Sequence, residues 1–353
     1  MIPSRLSKVL AMRITIRDVA REAGVSISTV SRVLNDTCFV EEGKRQRVKE
    51  TAEKLGYTAD PAARSLLKKE TGGVGVIVPS VSGEYFSEFL TGIDLFTQES
   101  GFYLLISSSH RNTAEFEAAL NTMYRRIDGL IVMAPDQVGF NVNHRVLRSM
   151  PVVYVNSPIE SPMSDSIRLN HFDGFYNITS HLIDMGHRRI AMITGPATAV
   201  DAQERLRGYR QALRDAGIDP EYTLEVGGNF TRESGYHAVS TILSSRKRPT
   251  AIAAANDLSA MGAMSALHEA GVRIPDEMAI TGFDDDPSAR YTTPPLSTVR
   301  VHTRDMGRMA IQYLVSRIRK VADADGRKVE LPLELVLRSS SLGFRREGTG
   351  RAG

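Results

Sequence analysis

The stretch Thr15-Ile16-Arg17-Asp18-Val19-Ala20-Arg21-Glu22-Ala23-Gly24-Val25-Ser26-Ile27-Ser28-Thr29-Val30-Ser31-Arg32-Val33-Leu34-Asn35 reads as two short helices with a turn between them. Thr15 is an N-cap with an acid, Asp18, three residues on. Ile16, Val19, Ala20 and Ala23 then follow at i, i+3, i+4 and i+7, the spacing of one buried helical stripe. Gly24-Val25 breaks this helix. Ser26 caps a second, whose Val30, Val33 and Leu34 face inward while Ile27, Ser28, Ser31 and Arg32 face out. A third helix, from about Glu41 to Leu55, buries Val48, Ala52 and Leu55, ends at Gly56 and carries Lys44, Arg45, Arg47 and Lys49 on its outer face. Helix, tight glycine turn, and a helix with a mixed small-polar and basic outer face is an arrangement that lets the second helix enter a DNA major groove. The Ser26 and Thr29 hydroxyls suit phosphate oxygens, Arg32 can grip a guanine edge, and Ile27 and Ser28 can meet thymine methyls or base edges. The same caps and periodicity also fit a small three-helix domain with no DNA role, and the pattern alone leaves both readings open.

With 353 residues the chain has room for two or three domains. Hydrophobic residues make up 42% and charged residues 24%, which excludes a disordered, collagenous or coiled-coil chain. The formal net charge is +3, yet residues 1–70 hold 14 Lys/Arg against 9 Asp/Glu, so the basic excess sits at one end. A nucleic-acid-binding head on a near-neutral body would be charged in this way. A lone cysteine, Cys38, cannot form an intramolecular disulfide, and no apolar run has the length of a membrane span or the form of a secretory signal. The expected location is the cytoplasm, with no membrane partner.

The run ITIRDVAREAGVSISTVSRVLN (14–35), followed by RVKETAEKLGYTADPAARSLL (47–67), resembles the DNA-binding head and hinge of the lac and galactose repressor family. The resemblance implies that Ile27, Ser28 and Arg32 read bases and that Ser26, Thr29 and Asn35 contact phosphates. It also makes Met12 a candidate start, with residues 1–11 a mis-start or a tail. Asp60-Pro61 can open a helix of one or two turns, too short to be stable alone in water. By the resemblance, two such hinge helices from a dimer lie in the minor groove at the operator centre, with Leu66 wedged between base pairs and Ala63 in close contact.

Beyond Lys68 the pattern changes to short apolar runs, Val74–Val78, Phe102–Ile106, Gly129–Met133, Val152–Val155, Ile190–Thr194, Ala251–Ala255 and Met278–Phe283, separated by segments of helical periodicity such as 113–127, 201–216, 231–244 and 257–270. This βαβα order predicts parallel sheets covered on both faces, with ligands bound beyond the carboxyl ends of the strands. Polar and aromatic residues stand at those ends: Tyr85-Phe86, Asn156, Arg205, Phe230 and Asn256-Asp257. Aromatic faces stack on sugars or bases, while Arg and Asp pair with hydroxyls.

No GxxxxGK[ST], HExxH or GxSxG is present, and Gly72-Gly73-Val74-Gly75 precedes its strand and lacks a third glycine, so NAD is discounted. Asp284-Asp285-Asp286 lacks the spacing of a calcium loop and reads as a solvated turn. His187-Arg188-Arg189 reads as surface structure, and His171 and His181 have no cysteine cluster beside them for zinc. No catalytic residue, metal or cofactor is expected.

The segments VDAQERLRGYR (200–210), GNFTRESGY (228–236), AIAAANDLSAMGAMSALHEAGVRIPDEMAITGFDD (251–285) and SARYTTPPLSTVR (288–300) are similar to the effector domain of the same family, a fold shared with periplasmic sugar-binding proteins. The implied fold is a small all-α helix-turn-helix head plus a periplasmic-binding-protein-like α/β body of two doubly wound parallel-sheet lobes. The expected division is a tail (1–13), the head (14–58), hinge and linker (59–72), an N-terminal lobe (73–156 and 285–320), a C-terminal lobe (157–284 and 321–342) and a tail (343–353). Crossovers are placed near Asn156-Ser157-Pro158, near Asp284-Asp285 and near 320. The resemblance implies that Arg205, Phe230 and Asp257 grip an effector from one lobe while Phe86 lines the other; Tyr85, beside Phe86, and Asn156 are the further candidates. Asn156 stands where an acid is frequent, and Ala199 stands where purine-responsive members carry an arginine, which favours a sugar or sugar derivative over a purine. No leucine heptads occur at the C-terminus, so a dimer is expected and not a coiled-coil tetramer. The expected function is a homodimeric transcription regulator, a repressor of a near-palindromic double-stranded DNA operator, switched by a small effector. The alternatives are a purine or other metabolite corepressor system, a sugar receptor without DNA function, and an enzyme on the same scaffold.

Overall fold

The computed structural model describes residues 14–35, 39–57, 70–137, 140–141, 144–159, 161–219, 222–322 and 325–343, with Asn35 described by its backbone alone. The chain divides into two compact units at Gly72–Gly73. In the first, α1 (Ile16–Ala23), α2 (Ile27–Asn35) and α3 (Glu42–Leu55) close over Val19, Ala20, Ala23, Val30, Val33, Val48 and Ala52. The Asp18 carboxylate accepts from the Thr15 amide at 3.0 Å and from its hydroxyl at 2.7 Å, which fixes the start of α1. Gly24 ends that helix in the left-handed region at φ 65°, where a β-carbon would be strained. Ser26 Oγ accepts from the Thr29 amide at 3.2 Å, so α2 starts where its cap predicts. Ala63 and Leu66 lie outside the described residues.

The second unit carries two parallel sheets. In the first, β1 (Gly73–Val78), β2 (Tyr103–Ser108), β3 (Gly129–Met133), β4 (Val152–Val155), β5 (Asp165–Leu169) and β11 (Lys328–Leu331) run in the order β11-β5-β4-β3-β1-β2. In the second, β6 (Ile190–Ile193), β7 (Thr223–Val226), β8 (Ala251–Ala254) and β9 (Ala279–Thr281) run in the order β7-β6-β8-β9. A short antiparallel pair, β10 (Thr298–Arg300) with β12 (Glu334–Val336), completes the strands. Helices α4 (Glu84–Ser100), α5 (Thr113–Met123) and α11 (Thr303–Ile318) cover the first sheet. Helices α7 (His171–Asp184), α8 (Val200–Asp215), α9 (Arg232–Ser244) and α10 (Asp257–Glu269) cover the second, and a short α6 (Arg145–Arg148) precedes β4. The central strands β1, β3, β4, β6 and β8 are buried along their whole length, which is why each reads as an unbroken apolar run. Helices α9 and α10 approach closely because Gly262 has no side chain. A β-carbon there would stand 1.9 Å from the Arg232 carbonyl.

The lobes do not divide where the sequence places the crossovers. β5 pairs with β4 and β11 pairs with β5, so 165–169 and 328–331 belong to the first sheet and not to the C-terminal lobe. The chain first leaves that sheet after Leu169, and after β11 it turns back into β12. The second boundary is late as well. Ala289 and Leu296, assigned to the N-terminal lobe, pack with Ile252, Ile280 and Met278 in the core of the second sheet. Only from Thr303 does α11 pack on α4 and the first sheet.

Candidate functional site

On the head, α2 buries Val30 and Val33 and turns the opposite face outward, with Ser26, Ser28 and Arg32 exposed and Thr29 half-buried. Ile27, a large apolar residue at the helix start, is 45% exposed. Three hydroxyls gather there. Ser26 Oγ lies 2.8 Å from both Ser28 Oγ and Thr29 Oγ1 at the N-terminal turn of α2, an arrangement that offers hydroxyl donors to an anion.

In the second unit the carboxyl ends of both sheets open on one cleft of about 340 Å³. Pro79 and Ser80 follow β1, His110 and Arg111 follow β2, and Asp201 and Arg205 lie in the first turns of α8. Asn229 and Phe230 follow β7, Asn256 follows β8, and Asp284 and Asp286 follow β9. Tyr85 and Phe86, in the first turn of α4, line the cleft on the side of the first sheet as an edge-to-face pair with ring centroids 5.3 Å apart. His110, Arg111, Phe230 and Asp284 have φ of 44°, 59°, 68° and 114°, a concentration of left-handed backbone that is typical of a binding site.

Arg205 organises the floor. It is 4% exposed, donates to the Ala255 carbonyl, reaches His171 Nδ1 and Asp284 Oδ1 at 3.4 Å each, and lies 3.9 Å over the Phe283 ring. Phe230 has the Arg205 and Arg111 guanidiniums both 5.4 Å from its centroid, and Asn256 Nδ2 holds its carbonyl at 3.1 Å. Arg111 is itself anchored, with one nitrogen 3.0 and 3.1 Å from the two Asp136 oxygens. Burial and the Arg205 charge push His171 down to about 3, so it is neutral. Burial pushes Asp284 up to about 7 against the pull of Arg205, with Asp201 and Asp286 adding to the rise. Burial and a hydrogen bond to Glu84 push Asp286 up to about 6, and that bond in turn lowers Glu84. Ser288 donates from its amide and hydroxyl to Glu84 at 3.0 and 2.7 Å, fastening the start of α4 to the turn after β9.

Four of the six effector-site residues expected from the sequence, Tyr85, Phe86, Arg205 and Phe230, line this cleft, and two do not. Asp257 is fully buried, accepts from Thr298 Oγ1 at 2.6 Å and from the Asp286 amide at 2.8 Å, and so braces the turn behind the cleft; its neighbour Asn256 is the one that lines it. Asn156 lies behind Tyr85. Its Nδ2 donates to the Tyr85 hydroxyl at 3.2 Å and its Oδ1 accepts from the Leu169 amide at 3.1 Å. The acidic triplet is not a solvated turn either, since Asp284 and Asp286 line the cleft and Asp285 pairs with Arg300 and Arg338. His187 is buried against Thr250 and is not on the surface. Arg111, Asp201, Asp284 and Asp286 were missing from the sequence expectation. Among the described residues no group of three or more His, Cys, Asp or Glu is placed to hold a metal ion, and no helix is long and apolar enough to cross a membrane.

A helix-turn-helix unit joined in one chain to a two-lobed, cleft-bearing unit defines the class of a DNA-binding regulator. The family of bacterial regulatory proteins named for lacI matches residues 15–60, and the periplasmic binding protein-like domain matches residues 179–341. The HTH-type transcriptional repressor PurR of Edwardsiella ictaluri (strain 93-146) is 36% identical over 331 residues, 92% of this chain and 96% of that protein. The ribose operon repressor of Haemophilus influenzae is 35% identical over 329 residues, 92% of this chain and 98% of that protein. The lac repressor dimer bound to operator and the anti-inducer ONPF superposes with a TM-score of 0.81 at 29% identity, covering 94% of this chain and 99% of that one. The chain belongs to the lacI family of bacterial regulatory proteins. It is a DNA-binding transcriptional repressor of that family and not an enzyme.

Proposed function

We propose that the cleft takes a small sugar or sugar derivative, that the protein binds a near-palindromic operator as a homodimer, and that the ligand acts by favouring one closure angle of the two lobes. The observation that carries this reading is the clamped Arg205, set beside Asp284 and opposite Tyr85 and Phe86 in a cleft of monosaccharide size. A fixed guanidinium and a carboxylate offer paired donors and acceptors to hydroxyls, while the rings offer faces to C–H groups. A coupling of about 1–3 kcal/mol would change operator occupancy roughly 5–150-fold, enough for a switch. The similarity to the ribose operon repressor supports a sugar. The similarity to repressors named PurR favours a second reading, a purine corepressor. Against it stands Ala199, buried at the start of α8, where the purine-responsive pattern has an arginine. Thermal-shift screening of sugars and nucleobases, followed by operator titration with each hit, separates the two; a nucleobase that stabilises the protein and tightens operator binding would overturn the sugar reading.

On the DNA side, Ile27, Ser28 and Arg32 are proposed to read bases, Ser26, Thr29 and Asn35 to hold phosphates, and Ala63 and Leu66 to enter the minor groove. Replacing Arg32 by alanine is expected to remove about 1–3 kcal/mol of discrimination between operator and mutated operator while salt-sensitive nonspecific binding survives. Fluorescence anisotropy with both duplexes measures it. Undiminished discrimination would remove Arg32 from base reading.

A further inference from the structure

We infer that Glu84 and Asp286 form a latch between the two lobes, a carboxyl pair that shares one proton, taken up from solvent when the lobes close and released when they part. The inference rests on the reading that the ligand acts through lobe closure, and it adds a second input to the same motion. Glu84 opens α4, which packs on β2 and α11 in the lobe of the first sheet. Asp286 and Ser288 follow β9, and the next residue, Ala289, lies in the core of the second sheet. The Ser288 amide is 3.0 Å from Glu84 Oε2 and 3.0 Å from Asp286 Oδ1, so two acids from different lobes accept from one N–H. Ser288 Oγ donates a further bond to Glu84 Oε1 at 2.7 Å.

The two carboxyls also bond to each other. An ionised carboxyl only accepts, so one member of the pair must carry a proton. The donors decide which. Glu84 receives both Ser288 bonds and has Arg232, at the start of α9, as a counter-charge, whereas Asp286 is 5% exposed and receives the shared amide alone. Glu84 therefore stays ionised and Asp286 holds the proton and donates it, in keeping with the lowering of the first and the rise of the second to about 6. The other charged groups nearby do not span the lobes in this way. Asp257, which accepts the Asp286 amide, and Asp284, beside Arg205, both belong to the second lobe. Glu88 is paired with Arg304 at 2.9 and 3.1 Å, Asp285 with Arg300 at 2.8 Å, His302 stands beside Glu334, and Arg290 lies over the Tyr291 ring. When the lobes part, both carboxyls of the latch return to water and to their ordinary range, and the proton leaves. The closed state binds more protons, so it gains as pH falls through about 6 and loses that gain as pH rises. A carboxyl raised from 3.8 to about 6 makes closing about tenfold more favourable at pH 5 than at pH 8.

Pulsed electron paramagnetic resonance on the full-length protein measures closure without sugar or DNA. Nitroxides on Glu117→Cys in α5 and Thr241→Cys in α9, both exposed, report the separation of the lobes. A Cys38→Ser background and dilution with unlabelled chain restrict the reading to one label pair within one chain. The ratio of the short-distance to the long-distance population is expected to rise about tenfold from pH 8 to pH 5. Glu84→Gln keeps an acceptor for Ser288 and brings its own N–H to Asp286, so it closes without proton uptake and its ratio is expected to stay level. Equal slopes in the two proteins, or two populations in the wild type whose ratio ignores pH, overturn the latch and leave lobe closure standing. A single distance at every pH takes down both.

Discussion

Arg205→Ala is expected to yield a repressor that still discriminates its operator but no longer responds to its effector. In the wild type the guanidinium is almost fully buried, bonded to the Ala255 carbonyl and His171, stacked on Phe283 and beside Asp284. Truncation removes the ligand's fixed donor and also leaves a buried carbonyl and a buried carboxyl without their cation, a defect of about 3–5 kcal/mol. Asp284, already raised to about 7 by burial, would rise further and be protonated at neutral pH, so the cleft would lose its anionic acceptor together with its cationic donor. Arg205→Lys separates folding from recognition. It keeps the charge for Asp284 but lacks the planar fork, so it should recover much of the stability and little of the response. Thermal melts give the first quantity and operator titration with a thermal-shift hit gives the second. A normal ligand response in both variants would remove Arg205 from the site.

The parts of the molecule that were legible in the sequence are those where one physical demand dominates. Val19, Ala20, Val30, Val33 and Val48 had to be buried for the head to have a core, and strands such as Gly129–Met133 are apolar throughout because both faces are covered. β5 and β11 were not recognised. Asp165-Ser166-Ile167-Arg168-Leu169 and Lys328-Val329-Glu330-Leu331 mix charge with apolar residues, β11 because it is the outer strand and half of its residues face water, β5 because its buried Asp165 is neutralised by Arg317 and Arg327. Missing them displaced the first and the third crossover. In the cleft, aromatics and Arg205 after a strand stood out, whereas Asn256 and Asp257 are adjacent in sequence and the turn of the chain decides which one lines the cleft. The acids after β9 escaped for another reason. Nothing local shows that Asp286 meets Glu84 across Ser288, a contact between residues about two hundred positions apart.

The residue outside the cleft with the largest expected effect on stability is Asp165, at the start of that unrecognised strand. Its side chain is 0% exposed. It accepts from Arg317 Nε and Nη2 at 2.8 and 2.9 Å, and from the Arg327 amide, Nε and Nη2 at 2.7, 3.0 and 2.7 Å. One carboxylate therefore ties β5 to the end of α11 and to the entry of β11, the three segments that form this edge of the first sheet. Asp165→Ala leaves two guanidiniums facing each other over an empty site and is expected to cost about 3–5 kcal/mol, lowering the melting temperature by roughly 6–20 °C. The pH dependence distinguishes an ion-pair loss from simple loss of packing. Burial alone would raise this carboxyl, but hydrogen bonds from Arg317 and Arg327 hold it well below the usual carboxylate range. A depressed value in the folded state stabilises above the unfolded value near 3.8, and that stabilisation is lost as pH falls through the folded value. The gap between wild type and variant should thus be level from pH 5 to 8 and narrow only in stronger acid, because contributions from the cleft acids are common to both and cancel. Urea unfolding of the two proteins at pH 7.5, 5 and 3 measures it. A gap as wide at pH 3 as at pH 7.5, followed by no narrowing at lower pH, would mean that Asp165 acts by its volume and not by its charge.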